Sequence, residues 1–144
     1  MEISDILVPI DFSETSLKSL GYALSMVASD GEIYLLHVID TTFVDKIDQY
    51  EISTAEAVTA TLRQRAEQAL DEIISQHSDA ATKLNKMIVV GIPFVEILRI
   101  ANDLDFSLIV MGIRGRQNPL KDLFFGSTVD KVLRATRIPV VCVP

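Results

Sequence analysis

The chain has 144 residues, of which 49% are hydrophobic and 23% charged, and it carries a formal net charge of −7. That length and apolar content suit one domain, residues 1–144, with a sizeable core, and the acidic balance argues against nucleic acid as the main partner. No apolar run reaches bilayer length and Met1-Glu2-Ile3-Ser4-Asp5 lacks the basic-then-apolar pattern of a signal peptide, so no membrane association and a cytoplasmic location are expected.

Extended and helical patterns alternate along the chain. Ile6-Leu7-Val8-Pro9-Ile10-Asp11 reads as a buried strand, after which Ser13 can cap a helix whose apolar positions Leu17, Leu20, Leu24, Val27 and Ala28 follow the helical period. Asp30-Gly31 stops that helix, and Ile33 to Ile39 is the next strand. Asp40 to Ile52 reads as a polar connection. Ser53-Thr54-Ala55-Glu56 is a capping box that begins a long amphipathic helix, running to about Gln76 with Leu62, Ala66, Ala69, Leu70 and Ile73 on one face. A third strand, Met87 to Val90, ends at Gly91, and Pro93 suits the first turn of a helix that turns Phe94, Ile97, Leu98 and Ala101 inward. Leu108 to Met111 is a fourth strand, Val129 to Arg134 has helical spacing, and Pro139 to Val143 is a fifth strand. Five strands in alternation with four helices, the strands apolar on both faces, predict an α/β fold: a three-layer α/β/α arrangement around a five-stranded parallel sheet.

The chemistry concentrates after the fourth strand. Met111-Gly112-Ile113-Arg114-Gly115 and Gly126-Ser127-Thr128 read as two halves of one phosphate-binding loop, because both lie where a strand gives way to a helix. The first amides of a helix lack internal partners and its dipole is positive at that end, so an anion is welcome there. Glycine at 112, 115 and 126 lets the main chain approach a ligand and permits positive φ, while Ser127 and Thr128 add hydroxyls. Residues 114 to 137 hold six basic side chains (Arg114, Arg116, Lys121, Lys131, Arg134 and Arg137) against two acids, Asp122 and Asp130, a basic island in an acidic chain. Arg114 and Arg116, inside the loop, suit phosphate contact. Lys131 and Arg134 suit either a ligand or the wet face of the last helix.

Other polar residues give weaker signals. Cys142 reads as a small core residue, His37 as a hydrogen-bonded interior residue of a strand, and His77 as an ordinary helix-end residue; no His/Cys/carboxylate cluster has metal-site spacing. In a parallel sheet a ligand binds outside the carboxyl ends of the strands where strand order reverses. Asp11 ends the first strand, where it would support Mg²⁺, directly or through water, or bond a ligand hydroxyl; capping of the first helix together with Ser13 is the alternative.

Four pieces in order, Leu7-Val8-Pro9-Ile10-Asp11-Phe12-Ser13-Glu14-Thr15, Leu35-Leu36-His37-Val38-Ile39-Asp40, Val89-Val90-Gly91-Ile92-Pro93 and the glycine pair of segments, resemble the universal stress protein family in its ATP-binding branch. The resemblance covers essentially the whole chain. It implies sheet order 3-2-1-4-5, an adenine nucleotide alpha hydrolase-like fold, with ATP or a related adenine nucleotide across the switch point between strands one and four. It implies that Pro9, Ile10 and Asp11 line the nucleotide and that the Val38 backbone reads adenine. Met111, Gly112, Arg114 and Gly115 would hold ribose and phosphates, and Gly126, Ser127 and Thr128 the phosphates, which would themselves carry most of the Mg²⁺. The family is also commonly a homodimer through the last strand, and Val140-Val141-Cys142-Val143 has no Lys or Glu to discourage a partner strand, although a covering loop or helix would serve equally. One departure stands out. The segment between Gly115 and Gly126 is a residue longer than the family's usual spacing and contains Pro119, yet extra length in a surface loop costs little, so the glycines are expected to converge.

Two functional classes follow. The first is a stress-response protein that acts through its bound nucleotide with at most slow hydrolysis, since neither histidine is read as close to the loop and acids there are few. The second is a dimeric interaction module of the same fold that binds no nucleotide and works through its dimer surface and the Thr41 to Ile52 connection. A receiver domain is disfavoured by Val90-Gly91 at the end of the third strand, and a P-loop enzyme by the absence of its glycine-lysine signature.

Overall fold

A computed structural model describes residues 2–77, 82–114 and 126–144. Among them, the strands are β1 (Asp5–Pro9), β2 (Glu32–Asp40), β3 (Lys83–Gly91), β4 (Leu108–Gly112) and β5 (Val140–Val143), and the helices are α1 (Glu14–Met26), α2 (Thr41–Gln49), α3 (Ala55–Gln76), α4 (Pro93–Asp103) and α5 (Ser127–Ala135). All sheet pairings are parallel and the order is β3-β2-β1-β4-β5, so the predicted topology holds.

Ile6, Leu7 and Val8 of the central strand have no exposed surface, which explains their unbroken apolar run: each face of β1 meets a helical layer. On one face, Leu20 and Ala23 of α1 and Leu70 and Ile73 of α3 pack on Val8, Leu35 and Val110. On the other, Ile97 and Ala101 of α4 and Val129 and Val132 of α5 pack on Leu7, Leu36 and Ile109. Cys142 packs beside this second layer as expected, and burial pushes its thiol pKa up.

Several boundaries differ from the sequence reading, each for a local reason. β1 closes at Pro9, which has no N–H to continue the ladder, although Ile10 N still donates to Leu36 O at 2.8 Å. β3 begins at Lys83 rather than Met87, because an edge strand needs only one apolar face and Lys83 to Lys86 can pair with β2 while their polar side chains meet solvent. The long helix is capped by Thr54, whose Oγ1 accepts from Ala57 N at 3.1 Å, one residue beyond the expected Ser53.

Helix α1 packs Leu20, Leu24 and Val27 of its predicted face against the core, but the face is wider than expected on one side. Leu17 is exposed, whereas Ser16 and Ser19 are buried with Leu20 and Ala23. Small residues let the helix sit close to the sheet, and each serine hydroxyl donates back along the helix, Ser16 Oγ to Ser13 O and Ser19 Oγ to Thr15 O, both at 2.9 Å.

The stretch 41–49, read as a polar connection, is helix α2. Asp40 closes β2 and at once caps this helix, its carboxylate accepting from Thr42 N at 2.9 Å, and Val44 with half-buried Ile47 supplies the i, i+3 stripe that faces inward. Strands and helices therefore do not alternate strictly. Among the described residues no helix is long and apolar enough to cross a membrane.

Candidate functional site

At the carboxyl ends of the strands a cavity of about 490 Å³ opens between β1, β2 and β4. Its size is that of a small-molecule site. Pro9, Ile10 and Asp11 line it from β1 and the turn beyond, Val38 from β2, Met111 and Gly112 from the end of β4, Arg114 from just beyond it, and Gly126, Ser127 and Thr128 from the start of α5. Every one of these was singled out in the sequence, and the fold brings them to one hollow. Gly115, the remaining expected residue, lies outside the described residues, as do Arg116, Pro119, Lys121 and Asp122.

Among the described residues the two glycine segments meet at a backbone bond in which Gly126 N donates to Ile113 O at 2.6 Å. Ile113 N in turn donates to Val143 O at 2.9 Å, tying the same point to β5. Gly126 has φ −62° and ψ 154° and caps α5 without a side-chain bond, and Asp130 N reaches back to Gly126 O. The first-turn amides of Ser127, Thr128 and Val129 therefore have no partner inside the helix, and all three residues line the cavity.

The positive φ allowed for at the glycines is not used at Gly112 or Gly126. No described glycine has positive φ. At Gly112 the space is taken from within: a Cβ there would lie 2.6 Å from Thr15 Cγ2 and 2.9 Å from Thr15 Cβ, so the missing side chain admits the first turn of α1. Positive φ occurs instead at Phe12, at 66°, in the turn that carries Asp11 to the helix. A bulky residue in this region costs free energy, which such sites characteristically store.

Asp11 takes the capping role that was its alternative reading. Its Oδ1 accepts from Ser13 N at 3.0 Å and from Ser13 Oγ, while Ser13 Oγ accepts from Ser16 N at 3.2 Å to cap α1. Among the described residues no group of three or more His, Cys, Asp or Glu could hold a metal.

His37 was read as an interior residue distant from the loop, and it is in fact part of the cavity wall. Its Nδ1 lies 2.8 Å from the Ile10 carbonyl, which fixes Nδ1 as the protonated nitrogen, and its ring stands 4.8 Å from that of Phe12 in a tilted stack. Asp40, Phe43, Leu62, Pro93 and Ile97 also line the cavity and were not anticipated as site residues. Leu62 and Ile97 had been assigned to core faces, and Pro93 to the first turn of a helix. Phe43 was hidden by the misread connection, where Val44 and Ile47 were the available helical signal.

The basic island divides. Arg114 faces the cavity. Arg134 Nε pairs with Asp130 at 3.1 Å and Lys131 Nζ stands 5.0 Å from the centre of the Phe94 ring, which places both on the outer face of α5.

A parallel sheet in the order 3-2-1-4-5 with such a hollow at its switch point defines a doubly wound α/β protein, a class whose ligands bind at the strand ends. Residues 2–144 match the model of the universal stress protein family, and the chain belongs to that family. Universal stress protein MJ0577 of Methanocaldococcus jannaschii is 32% identical over 151 aligned positions, covering 96% of this chain and 93% of that one. The solved structure of MJ0577 superposes with a TM-score of 0.86 at 30% identity over 99% of this chain and 96% of that chain. The universal stress protein of Archaeoglobus fulgidus, solved in complex with dAMP, shares the fold at a TM-score of 0.67 and 20% identity, with both chains covered completely.

Proposed function

We propose that this protein binds an adenine nucleotide, ATP with Mg²⁺, in the cavity between β1, β2 and β4, and acts in stress response through its nucleotide state. The observation that carries this reading is the bond from Gly126 N to Ile113 O, which brings Arg114 and the first-turn amides of α5 to one rim of a hollow whose other rim is largely apolar, with His37 and Asp40 among Val38, Ile39, Phe43 and Leu62. At the β4 side the site offers cation and amide donors. At the β2 side it offers Val38, Ile39 and Leu62. β2 and β4 flank β1, so these ends are about 10 Å apart, two strand spacings, which suits a nucleoside with its phosphates. The dAMP complex of the Archaeoglobus fulgidus family member supports adenine as the base.

In this reading Pro9 and Ile10 flank the nucleoside, the Val38 backbone reads the base, Met111 and Gly112 support the ribose, and Arg114, Ser127 and Thr128 hold phosphates. Asp11 contacts Mg²⁺ through water, because one of its oxygens is committed to Ser13. Turnover is slow: the one histidine of the wall, His37, belongs to the β2 end, with β1 between it and the phosphate donors. The edge position of β5, with no Lys or Glu in Val140 to Val143, supports a homodimer through that strand, which would show as twice the 15.9 kDa chain mass in light scattering.

Calorimetric titration of nucleotide-stripped protein with ATP and Mg²⁺ tests the central claim. Saturable binding at micromolar to low-millimolar ATP is expected, and no heat at several millimolar rejects it in favour of a nucleotide-free interaction module.

A further inference from the structure

Helix α2 carries an aromatic ring that the core does not use. Because Asp40 ends β2 and caps α2 with no loop between them, Phe43 falls at the third helical position, directly beyond the strand end where Val38 and Ile39 line the cavity. Val44 is the helix's buried anchor, and one residue of α-helix turns about 100°. Phe43 is thereby swung out of the inward stripe to the cavity, where it is 52% exposed. An aromatic ring half open to water beside apolar neighbours is an unfilled contact surface.

The surroundings give that surface a shape. Leu62 lines the cavity from α3, the helix on which α2 packs, whereas Pro93 and Ile97 line it from α4, which packs on the face of the sheet opposite to α3. The strand end lies between them. Apolar walls approaching from both sides of a sheet edge make a slot for a flat ring, and the donors of the α5 end are remote from it.

On the reading that the cavity holds a nucleotide, we propose that Phe43 is its base-specificity residue: the ring stacks on the heteroaromatic base and favours the larger purine face, while phosphate affinity is set independently at the α5 end. Base–aromatic stacking of this kind changes affinity by roughly tenfold or more.

Three probes separate the two ends of the ligand: ATP, UTP and inorganic tripolyphosphate, each with Mg²⁺. Phe43→Ala should weaken ATP by roughly tenfold, UTP by less, and tripolyphosphate by under about twofold. Phe43→Trp should retain ATP affinity. Since the chain contains no tryptophan, its emission reports on this position alone, and it should be quenched by ATP and left unchanged by tripolyphosphate. Unaltered ATP affinity in Phe43→Ala, or tryptophan emission indifferent to saturating ATP, overturns the proposal while leaving nucleotide binding intact. A wild-type protein that binds tripolyphosphate but no better binds ATP overturns the base slot, and one that binds none of the three overturns the nucleotide reading together with it.

Discussion

Gly112→Ala is the sharpest probe of how the site is assembled. The added methyl would stand 2.6 Å from Thr15 Cγ2, 2.9 Å from Thr15 Cβ and 3.3 Å from the Thr15 carbonyl carbon, against the roughly 3.5–4.0 Å that carbon atoms prefer. Relief cannot come from a flexible side-chain tip, since Thr15 is β-branched and lies in the first turn of α1, whose next residues, Ser16 and Ser19, are buried. The helix start or the end of β4 must move by about 1 Å, and overpacking of this degree costs about 1–3 kcal/mol. For a chain of this size that lowers the melting temperature by roughly 2–12 °C. Thermal and urea denaturation would measure the loss, and Thr15→Ser, which removes the nearest methyl, should restore part of it in the double variant. A Gly112→Ala protein that melts with the wild type, or a double variant with strictly additive losses, would refute the claim that this glycine exists to admit α1.

Two further outcomes follow from the same geometry. Ser13→Ala removes both the α1 cap and the hydroxyl that binds Asp11 and should cost about 1 kcal/mol in urea unfolding, with unchanged stability counting against the cap. Burial, and then the charge of Glu32, raises the Tyr34 phenol above its ordinary value of 10.0, so the stability linked to its neutral form is complete below about pH 10 and is lost as pH climbs through the folded-state value. Urea midpoints should accordingly fall more steeply above pH 10 in the wild type than in Tyr34→Phe; parallel curves would contradict the shift.

Much of this architecture is legible in the order of the amino acids alone, because fully covered parallel strands must be apolar on both sides and Ile6-Leu7-Val8 and Leu108-Ile109-Val110 are. The glycine pair was legible as a position in the fold, at a strand end and a helix start. Its physical reason was not, since the atom that excludes a Cβ at residue 112 belongs to Thr15, far away in sequence. Helix α2 escaped because only Val44 is fully buried, too sparse a stripe to outweigh its polar residues. On α1 the inward Leu20, Leu24 and Val27 were legible, whereas Ser16 and Ser19 escaped because close approach to the sheet selects serine there, against the rule that large apolar residues go inside.

The clasp between Gly126 and Ile113 has one more consequence. With Gly126 N bonded to Ile113 O and Ile113 N moored to Val143 O, the distance between these two flanking points of the backbone is fixed independently of how many residues the sequence places between them. Lengthening the chain between them adds only a logarithmic entropic toll, so insertions there should leave the scaffold standing. Changes of length between those two points can therefore accumulate without disturbing the bond that joins the end of β4 to the start of α5.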